Sequence, residues 1–530
     1  MRIGRRDLTF TKSVRFVGVE PRSAMSTLAF LPPSDGGDRP LFGDFRLVDL
    51  DASSPMPASL LLPAPDESSV GRRRRMESFV DGVRKAGGVA THVYHTSDDQ
   101  VPFVPTGRLF VRLRDGTSEA ERQAIFQRAG LILLTMRHGF SILQVTSASL
   151  NPMKTAAALQ RDARVEIAEP DLSTPFRTFG PDVGTDVLLE DVWQLENRGE
   201  HGGIRVWFRK GADVRVRGAW NRLRTRGRAE VRVAIIDDGF LTTHPALNAA
   251  GRWAAPRNFG GGPSVTLGLP TELDPSPRSP ADTHGTECAG LVGALGTDGP
   301  VVGVAPHCTL IPIRWNHNPD GLNLDDWFDH AATHDAAIVS CSWGPTAREF
   351  ALPSFHEAAI RACAERARGG RGALIVFAAG NEGVDLAVSR GGWVTALTSI
   401  DTVMMIAGMD SRGERWGGSN YGTAVTLCAP AGGGGDGAPI TTCSVKFVGG
   451  RPEPHVHSAF GGTSAACALV AGVAALTLSA DPSLDARALR AVLTRTAWPP
   501  VGMVADSRGA DVHFGFGCVD ADAAVAAIYP

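Results

Sequence analysis

Four short segments of this 530-residue chain carry side chains that could take part in acyl transfer. Asp237 and Asp238 end one apolar run, Asn381 follows another, and His284 and Ser464 each precede a stretch of small residues. A serine hydroxyl becomes a good nucleophile when an imidazole takes its proton and a carboxylate holds that imidazole in the right tautomer. An amide side chain and a backbone N–H can then stabilise the oxyanion. Together the segments predict nucleophilic catalysis at Ser464.

Each segment alone also has an ordinary structural explanation. The Asp-Asp-Gly sequence at 237–239 is typical of a turn, and His284 of a capping residue satisfied within the fold. Asn381 is typical of a turn former and Ser464 of a helix N-cap. The combination of all four, in this order and with these flanking residues, favours an enzyme.

The elements that must position these side chains predict an α/β domain. From about residue 190 onward, short apolar runs typical of buried strands alternate with helical patterns. Such runs indicate a doubly wound parallel sheet covered by helices on both faces. Ligands of such sheets bind at the carboxyl ends of the strands. Asp237 and Asn381 follow predicted strands, and His284 and Ser464 begin predicted helices, so all four belong to that edge.

A smaller α+β unit is predicted upstream of this domain. Between about residues 105 and 175 the pattern is strand, helix, strand, helix, strand, which places two helices on one face of a sheet. An additional helix is predicted from Glu77 to Ala86. The predicted domains are a weakly patterned leader (1–76), the α+β domain (77–175), a linker (176–190) and the α/β domain (191–530).

The composition excludes several classes of protein. The chain has 53 Lys and Arg against 56 Asp and Glu, a formal charge of −3, which argues against a chain built to neutralise phosphates. No nucleic-acid partner is therefore expected. Hydrophobic residues at 43% and charged residues at 21% are typical of a globular protein. We find no stretch of about 20 apolar residues, so no membrane span is expected.

The N-terminus and the cysteines bear on location. Arg5 and Arg6 match the paired arginines of an export signal, but charged residues between positions 15 and 22 interrupt the apolar stretch that should follow. All eight cysteines lie at or beyond Cys288 without close pairing, and we interpret them as reduced packing thiols. A cytoplasmic protein is predicted, with an exported enzyme carrying one or two disulfides as the alternative.

The chain resembles the subtilisin-like serine proteases, peptidase family S8. The order Asp, His, Ser is that of the subtilisins. The resemblance covers about residues 190–525, and Trp193–Asn197 and Gly515–Asp520 match the first and last segments of the family's catalytic domain. It implies a subtilisin-like doubly wound parallel sheet and hydrolysis of peptide bonds in proteins. The alternative is a catalytically silent module of the same fold that holds a peptide.

The resemblance implies roles residue by residue. Asp237 orients His284, and His284 acts as the general base and acid. Ser464 attacks the substrate carbonyl, while the Asn381 side chain and the Ser464 backbone N–H form the oxyanion hole. Gly380, beside Asn381, is placed among the substrate-binding residues.

Three segments resemble the kexin and proprotein convertase branch. They are Asp237–Gly239, His284–Gly290 and Cys341–Pro345. The resemblance implies that Ser342, Trp343 and Gly344 pair with an extended substrate and form one wall of the S1 pocket. It implies that Asp238 borders S2 and favours a basic P2 side chain. Residues 346–348 are Thr-Ala-Arg where kexins have acidic residues that hold a P1 arginine, so strict dibasic specificity is not implied. No downstream P domain is expected.

The upstream α+β unit resembles the family's propeptide, which is a folding template and inhibitor. The resemblance implies that its last strand and tail, Glu169–Arg177, enter the active-site cleft, and that the protein is a zymogen that cleaves itself between about 172 and 190. A permanent accessory domain is the alternative. The expected partners are a protein or peptide substrate and the propeptide-like domain itself. No metal ligand is predicted, and calcium, which is common in the family, is left open.

Overall fold

The computed structural model divides the chain into two compact units. The first comprises Met1–Phe176, His317–Asp325 and Pro345–Ala359, and the second comprises Arg177–Asn316, Asp326–Gly344 and Ile360–Pro530. The structure describes residues 2–3, 6–7, 10–19, 41–42, 45–49, 69–85, 90–96, 102–146, 148–149, 151–174, 176–178, 192–200, 208–261, 269–296, 301–315, 321–345, 349–350, 352–386, 394–432 and 437–529.

A seven-stranded parallel sheet forms the centre of the second unit. Its strands, in spatial order, are Arg257–Asn258, Thr309–Arg314, Arg232–Asp237, Ile338–Cys341, Leu374–Ala378, Val403–Met409 and Val425–Pro430. The first of these strands in the chain, Arg232–Asp237, lies inside the sheet, and the chain adds strands on both sides of it. Almost every strand residue is buried, as in a sheet covered on both faces. The predicted α/β doubly wound sheet is confirmed.

The remaining elements beyond residue 178 are helices, short strands and one long hairpin. The helices are Val216–Leu223, Thr271–Leu273, His284–Gly293, Gly321–Thr333, Ser354–Gly370, Ala396–Ser399, Gly462–Ala480, Ala486–Thr496 and Ala521–Ala526. The short strands are Trp343–Pro345, Glu349–Phe350 and Val394–Thr395. The hairpin pairs Ile440–Val448 with Arg451–Phe460 in antiparallel register. It ends directly before the helix that carries Ser464.

The helix Gly462–Ala480 runs through the interior of the second unit. By length and composition alone it is apolar enough to cross a membrane, but 94% of the apolar stretch is buried inside the structure. It packs against several strands of the parallel sheet. The expectation that the chain has no apolar run of such length was wrong for this helix. Its burial makes it a core helix that brings Ser464 to the sheet edge.

The α+β layer of the first unit has one more strand than predicted. Its antiparallel sheet has the order Val165–Ser173, Val104–Leu113, Phe140–Val145 and Leu131–Arg137, with helices Glu119–Arg128 and Pro152–Leu159. Ser118 and Glu121 form a capping box at the first helix, and Asn151 caps the second. The small α+β fold is confirmed. Leu131–Arg137 was missed because its apolar residues are consecutive rather than alternating, and most of them are exposed at the sheet edge.

Further strands and a helix precede this layer. The strand pair Arg2–Ile3 and Arg6–Asp7 is followed by a four-stranded sheet of Leu41–Phe42, Phe45–Asp49, Phe10–Val19 and Ala90–Thr96. The helix begins at Ser69 and ends at Lys85, eight residues earlier than the predicted start at Glu77. Arg72, Arg73 and Arg74 lie exposed on it. Arginine is a good helix former, so the helix includes the charged run instead of starting after it.

Part of the chain beyond residue 345 completes the first unit. The Phe355 ring stacks on Phe110 with ring centroids 4.4 Å apart. The buried carboxylate of Glu169 accepts hydrogen bonds from the Ser354 N–H, at 2.8 Å, and the Ser354 hydroxyl, at 3.0 Å. Ser354 is the first residue of a helix, and a carboxylate at that position satisfies an orphan N–H and the helix dipole. These contacts join residues distant in sequence without a covalent link.

Candidate active site

The carboxyl ends of three adjacent strands bring the predicted site residues together. Asp237 is the last residue of its strand. Ser342 directly follows the strand ending at Cys341, and Asn381 lies three residues after the strand ending at Ala378. The pairing of these strands places their ends at one edge of the sheet. Active sites of α/β sheets occupy this edge.

Asp237 and His284 form a buried pair. His284 Nδ1 lies 2.9 Å from Asp237 Oδ1 and 3.1 Å from Oδ2. An ionised carboxylate only accepts hydrogen bonds, so Nδ1 carries the proton and Nε2 is left as the acceptor. Burial lowers the pKa of His284, whereas the charge and hydrogen bond of Asp237, together with the neighbouring Cys288, raise it, and the net result lies well above the usual range. The pair therefore stabilises the imidazolium that forms when Nε2 accepts a proton.

The Ser464 hydroxyl is hydrogen-bonded to Ser342, the residue that follows the strand Ile338–Cys341. It donates to the Ser342 carbonyl at 3.1 Å, and the Ser342 hydroxyl donates to the Ser464 carbonyl at 3.1 Å. His284 Nε2 is buried and has no hydrogen-bond partner among the described residues. Catalytic hydrogen bonds are often long or unformed in the absence of substrate. The Ser464–His284 hydrogen bond of the predicted triad stays a prediction.

Asn381 is held with its N–H groups available. Its Oδ1 accepts from the Thr463 N–H at 2.9 Å and from the Thr463 hydroxyl at 2.8 Å, and Thr463 Oγ1 accepts from the Gly380 N–H at 3.0 Å. Because Oδ1 is occupied twice, Nδ2 is left as the donor. The Ser464 N–H lies in the first turn of the helix Gly462–Ala480, where backbone N–H groups lack helical partners. An amide and a backbone donor are thus present for an oxyanion.

Gly380 has a backbone conformation that only glycine adopts easily. Its φ is +101°, and an added Cβ would lie 2.4 Å from Asn420 Nδ2 and 2.8 Å from Glu382 Oε2. Both the left-handed backbone and the close approach exclude a side chain. The structure thus explains the glycine by the shape of the Asn381 loop. Its predicted role in substrate binding stays a prediction.

Asp238 has a structural task that sequence analysis did not anticipate. It is 1% exposed, and its carboxylate accepts from the Gly285 N–H at 2.8 Å and from the His284 N–H at 3.4 Å. It therefore caps the helix that begins at His284. Burial and the neighbouring Asp237 raise the pKa of Asp238 well above its usual value. The proposed contact with a P2 side chain competes with this capping role and stays a prediction.

The buried side chain of Trp343 fixes the segment Ser342–Gly344 to neighbouring residues. The buried Trp343 donates from Nε1 to the Ile236 carbonyl at 2.7 Å, and its ring contacts Trp315 with centroids 5.3 Å apart. Trp343 and Gly344 belong to the strand Trp343–Pro345, which forms a two-stranded sheet with Phe176–Thr178. The segment thus accepts an extended chain as a strand partner.

Sequence reasoning missed three residues of the site. Thr463 donates its N–H and its hydroxyl to Asn381 Oδ1. Asn420 hydrogen-bonds to Glu382, the residue that directly follows Asn381. Cys288 Sγ lies 3.7 Å from His284 Nδ1. Thr463 was within reach of sequence reasoning, because it directly precedes Ser464. The role of Asn420 rests on contacts between distant parts of the chain, for which its own turn-like segment gives no signal.

One cluster in the second unit could hold a metal. Among the described residues of that unit, Asp237, His284 and Cys288 place one ligand atom each within 4.8 Å of one another. A carboxylate, an imidazole and a thiol are a donor set for a soft or borderline metal, whereas Ca²⁺ takes six to eight oxygen ligands. The cluster therefore does not fit calcium. Burial raises the pKa of the Cys288 thiol to about 11, so at neutral pH it is protonated.

A family model described as the subtilase family matches residues 228–518, more than half of the chain. The chain belongs to the subtilase family. The matched range contains Asp237, His284, Asn381 and Ser464, and the predicted family resemblance is confirmed.

Two curated relatives extend the likeness beyond the catalytic domain. The "Calcium-dependent protease" of Trichormus variabilis is 29% identical over an alignment of 466 residues that covers 81% of this chain and 65% of that protein. The "Endoprotease bli" of Onchocerca volvulus is 29% identical over an alignment of 396 residues that covers 72% of this chain and 52% of that protein. The subtilase described here thus spans less than two thirds of the length of either relative.

A solved structure supports the fold. The crystal structure of fervidolysin from Fervidobacterium pennivorans, "a keratinolytic enzyme related to subtilisin", covers 82% of this chain and 62% of its own, with a TM-score of 0.55 and 18% identity. At that identity the match establishes the subtilisin-like fold alone.

Proposed function

We propose that this subtilase is a serine endopeptidase that hydrolyses peptide bonds in protein substrates through Asp237, His284 and Ser464. The observation that carries the proposal is the buried hydrogen bond of 2.9 Å between Asp237 and His284. It fixes the tautomer that leaves Nε2 as a base. The named relatives are proteases, which supports the same reaction class.

The proposed reaction follows from these positions. His284 Nε2 takes the Ser464 hydroxyl proton while Oγ bonds to the substrate carbonyl carbon. Asp237 stays ionised and stabilises the imidazolium, as the raised pKa of His284 favours. Asn381 Nδ2 and the Ser464 N–H donate to the oxyanion. His284 then gives the proton to the leaving amine as the C–N bond breaks. In the second step it takes a proton from the water that attacks the acyl-enzyme and returns it to Ser464 Oγ as the ester bond breaks.

The substrate is proposed to bind as an extended strand. Trp343–Pro345 already pairs with Phe176–Thr178, and main-chain hydrogen bonds of this kind recognise a peptide regardless of its sequence. Specificity must then come from side-chain pockets around Ser464. A basic P2 preference through Asp238 would require that carboxylate to leave the N–H groups of His284 and Gly285.

A cleavage assay on an unfolded protein tests the activity. We expect the wild type to generate new N-termini that mass spectrometry identifies, and Ser464→Ala to generate none. A wild type that binds the unfolded protein but cleaves nothing would instead support the silent peptide-holding module.

We propose that the protein is made as a zymogen that cuts itself between about 172 and 190. The strand Phe176–Thr178 pairs with the segment proposed to bind substrate, which supports competition between the two. Residues 179–191 lie outside the described part of the chain. The contact of Glu169 with Ser354 would keep the cleaved part attached after cutting. Intact-mass analysis should find two chains for the wild type and one for Ser464→Ala, and one chain in both would support a permanent accessory domain.

Calcium is proposed as a cofactor on the printed name of the Trichormus relative alone. The described residues supply no ligand set that we can assign to it, so no step of the reaction is derived through it. Melting temperatures in calcium and in chelator test the proposal. A rise with calcium that magnesium does not reproduce would support it, and equal melting temperatures would refute it.

We retain a cytoplasmic location as a proposal based on the N-terminal sequence. The eight cysteines are free and buried in the structure, which supports a protein that needs no oxidising compartment. Cell fractionation tests the location, and recovery of the protein outside the cytoplasm would overturn it.

A further inference from the structure

We propose that Asn420 is a positioning residue for the oxyanion hole. It would hold the Asn381 loop, defined here as Ala379–Val384, in the shape that aims Asn381 Nδ2 at the reacting carbonyl. This inference rests on the proposed protease function and adds a residue to which the family match and the named relatives assign no role.

The Asn420 side chain uses its full hydrogen-bonding capacity on the Asn381 loop. It is 1% exposed. Its Nδ2 donates to the Ala379 carbonyl at 3.0 Å and to Glu382 Oε2 at 2.7 Å. Its Oδ1 accepts from the Glu382 N–H at 3.1 Å and the Val384 N–H at 3.0 Å. Ala379 precedes Asn381, and Glu382 and Val384 follow it, so one amide ties both ends of the loop.

The backbone around Asn420 continues this attachment. The Asn420 N–H donates to the Gly380 carbonyl at 2.9 Å, and the Tyr421 N–H donates to the Val384 carbonyl at 3.0 Å. The Gly383 N–H donates to the Gly418 carbonyl at 2.8 Å. The segment around Asn420 thus holds the backbone of the Asn381 loop through three further hydrogen bonds.

Asn420 is in turn fixed to the parallel sheet. The Ser419 hydroxyl donates to the Asn420 carbonyl at 2.9 Å, and Ser419 Oγ accepts from the Gly408 N–H at 2.9 Å. Gly408 belongs to the strand Val403–Met409. Arg415 donates to the Ser419 carbonyl at 3.0 Å. A continuous path of hydrogen bonds therefore runs from the strand Val403–Met409 through Asn420 to the loop.

Apolar packing contributes little at the tip of the loop. Asn381, Glu382 and Gly383 are only partly buried and carry no apolar side chain, so they lack the close-packed surroundings that fix core side chains. Polar ties must set the geometry instead, and a displacement of about 1 Å at a catalytic group can cost on the order of 10²-fold in rate. Removing the Asn420 amide would leave the Ala379 carbonyl and two loop N–H groups without these partners.

The test is a double-mutant cycle between Asn420 and Asn381. We expect Asn420→Ala to lower kcat by about 10- to 100-fold with KM changed less than twofold, because the loss falls on the transition state. In an Asn381→Ala background the same substitution should lower kcat by less than about threefold, since the group it positions is gone.

Asn197→Ala is the matched control. Asn197 is also buried, 3% exposed, and its amide bonds to the carbonyls of Ala212 and Ser411 and to the Gly199 N–H. None of these partners belongs to the proposed site. Its effect on kcat should be small and equal in both backgrounds. An equal loss of kcat from Asn420→Ala in both backgrounds, or a change in KM alone, would overturn the proposal.

Asn420→Asp keeps the shape and the acceptors and guards against a variant that fails to fold. It loses the donors to Ala379 and Glu382 and sets a second carboxyl against Glu382. Its activity relative to the wild type should therefore rise as pH falls, when one of the two carboxyls is protonated. A ratio that stays constant with pH would contradict the proposal. A wild type no more active than Ser464→Ala would sink the protease function itself, and this inference with it.

Discussion

Two groups of residues near Ser464 differ in the kind of side chain they contain. On the acid–base side, Asp237, Asp238 and His284 are buried ionisable groups whose positions follow from charge pairing and helix capping. On the oxyanion side, Asn381, Thr463 and Asn420 are neutral groups whose positions follow from successive hydrogen bonds. In the proposed mechanism, pH therefore acts directly on the acid–base side of Ser464, whereas the oxyanion side responds to geometry.

The difference has a physical cause. A buried charge is stable only next to a partner, so the acid–base side is fixed by a few strong contacts. A neutral donor is weaker and must be aimed, so the oxyanion side needs several supporting residues. Substitutions on the two sides should therefore differ in size and in their dependence on pH.

Asp237→Asn should show the largest effect of the substitutions that leave Ser464 in place. An asparagine at this position can donate to Nδ1, which shifts the His284 proton to Nε2 and removes the base. We expect kcat to fall by about 10⁴-fold. Asp213→Asn is the control, since Asp213 is also buried and its carboxylate accepts hydrogen bonds from the backbone N–H groups of Asn197 and Arg215. A fall of less than tenfold for Asp237→Asn would mean that Asp237 does not set the tautomer.

Asn381→Ala should have a smaller effect that does not depend on pH. Loss of one side-chain donor to an oxyanion costs about 10²- to 10³-fold in kcat. The pH profile of the residual activity should have the midpoints of the wild type, because no titrating group is removed. A shifted midpoint would contradict the separation of the two sides.

The acid limb of kcat/KM in the wild type should report His284. Only neutral His284 can accept the Ser464 proton, so activity is present above the pKa of the free enzyme and lost as pH falls through it. Because the contacts with Asp237 and Cys288 together raise this pKa by more than burial lowers it, we expect the midpoint above 6.5, the usual histidine value. A midpoint below 6 would show that burial outweighs these contacts.

The smallest predicted effect is on stability and not on catalysis, and it comes from Asp213. Burial raises its pKa to about 6 in the folded protein, above about 3.9 in an unfolded chain. Its contribution is therefore fully present below about pH 4 and lost as pH rises through about 6. Relative to Asp213→Asn, the wild type should lose up to about 3 kcal/mol of unfolding free energy across that window. Urea unfolding at pH 4 and pH 7 measures this, and a constant difference would contradict the assignment.

The residues named from the sequence were those that the sheet itself positions. Asp237, Asn381 and Ser464 could be predicted to meet because parallel strands end at a common edge and helices begin there. Asn420 could not be, since its role depends on which loop its amide reaches. Asp238 was assigned to substrate by resemblance, whereas the structure occupies it with the first N–H groups of the His284 helix. Both cases involve hydrogen bonds between segments far apart in the chain.

The most direct test of the account is the site and pH dependence of labelling by a fluorophosphonate, which reacts with an activated serine. We predict a single adduct on Ser464 by peptide mapping, at a rate that falls with pH through the His284 midpoint. Asp237→Asn should slow labelling strongly. Asn381→Ala should leave the pH midpoint of labelling unchanged. An adduct on a different serine, or no adduct on protein that has been cleaved between about 172 and 190, would contradict the proposed nucleophile.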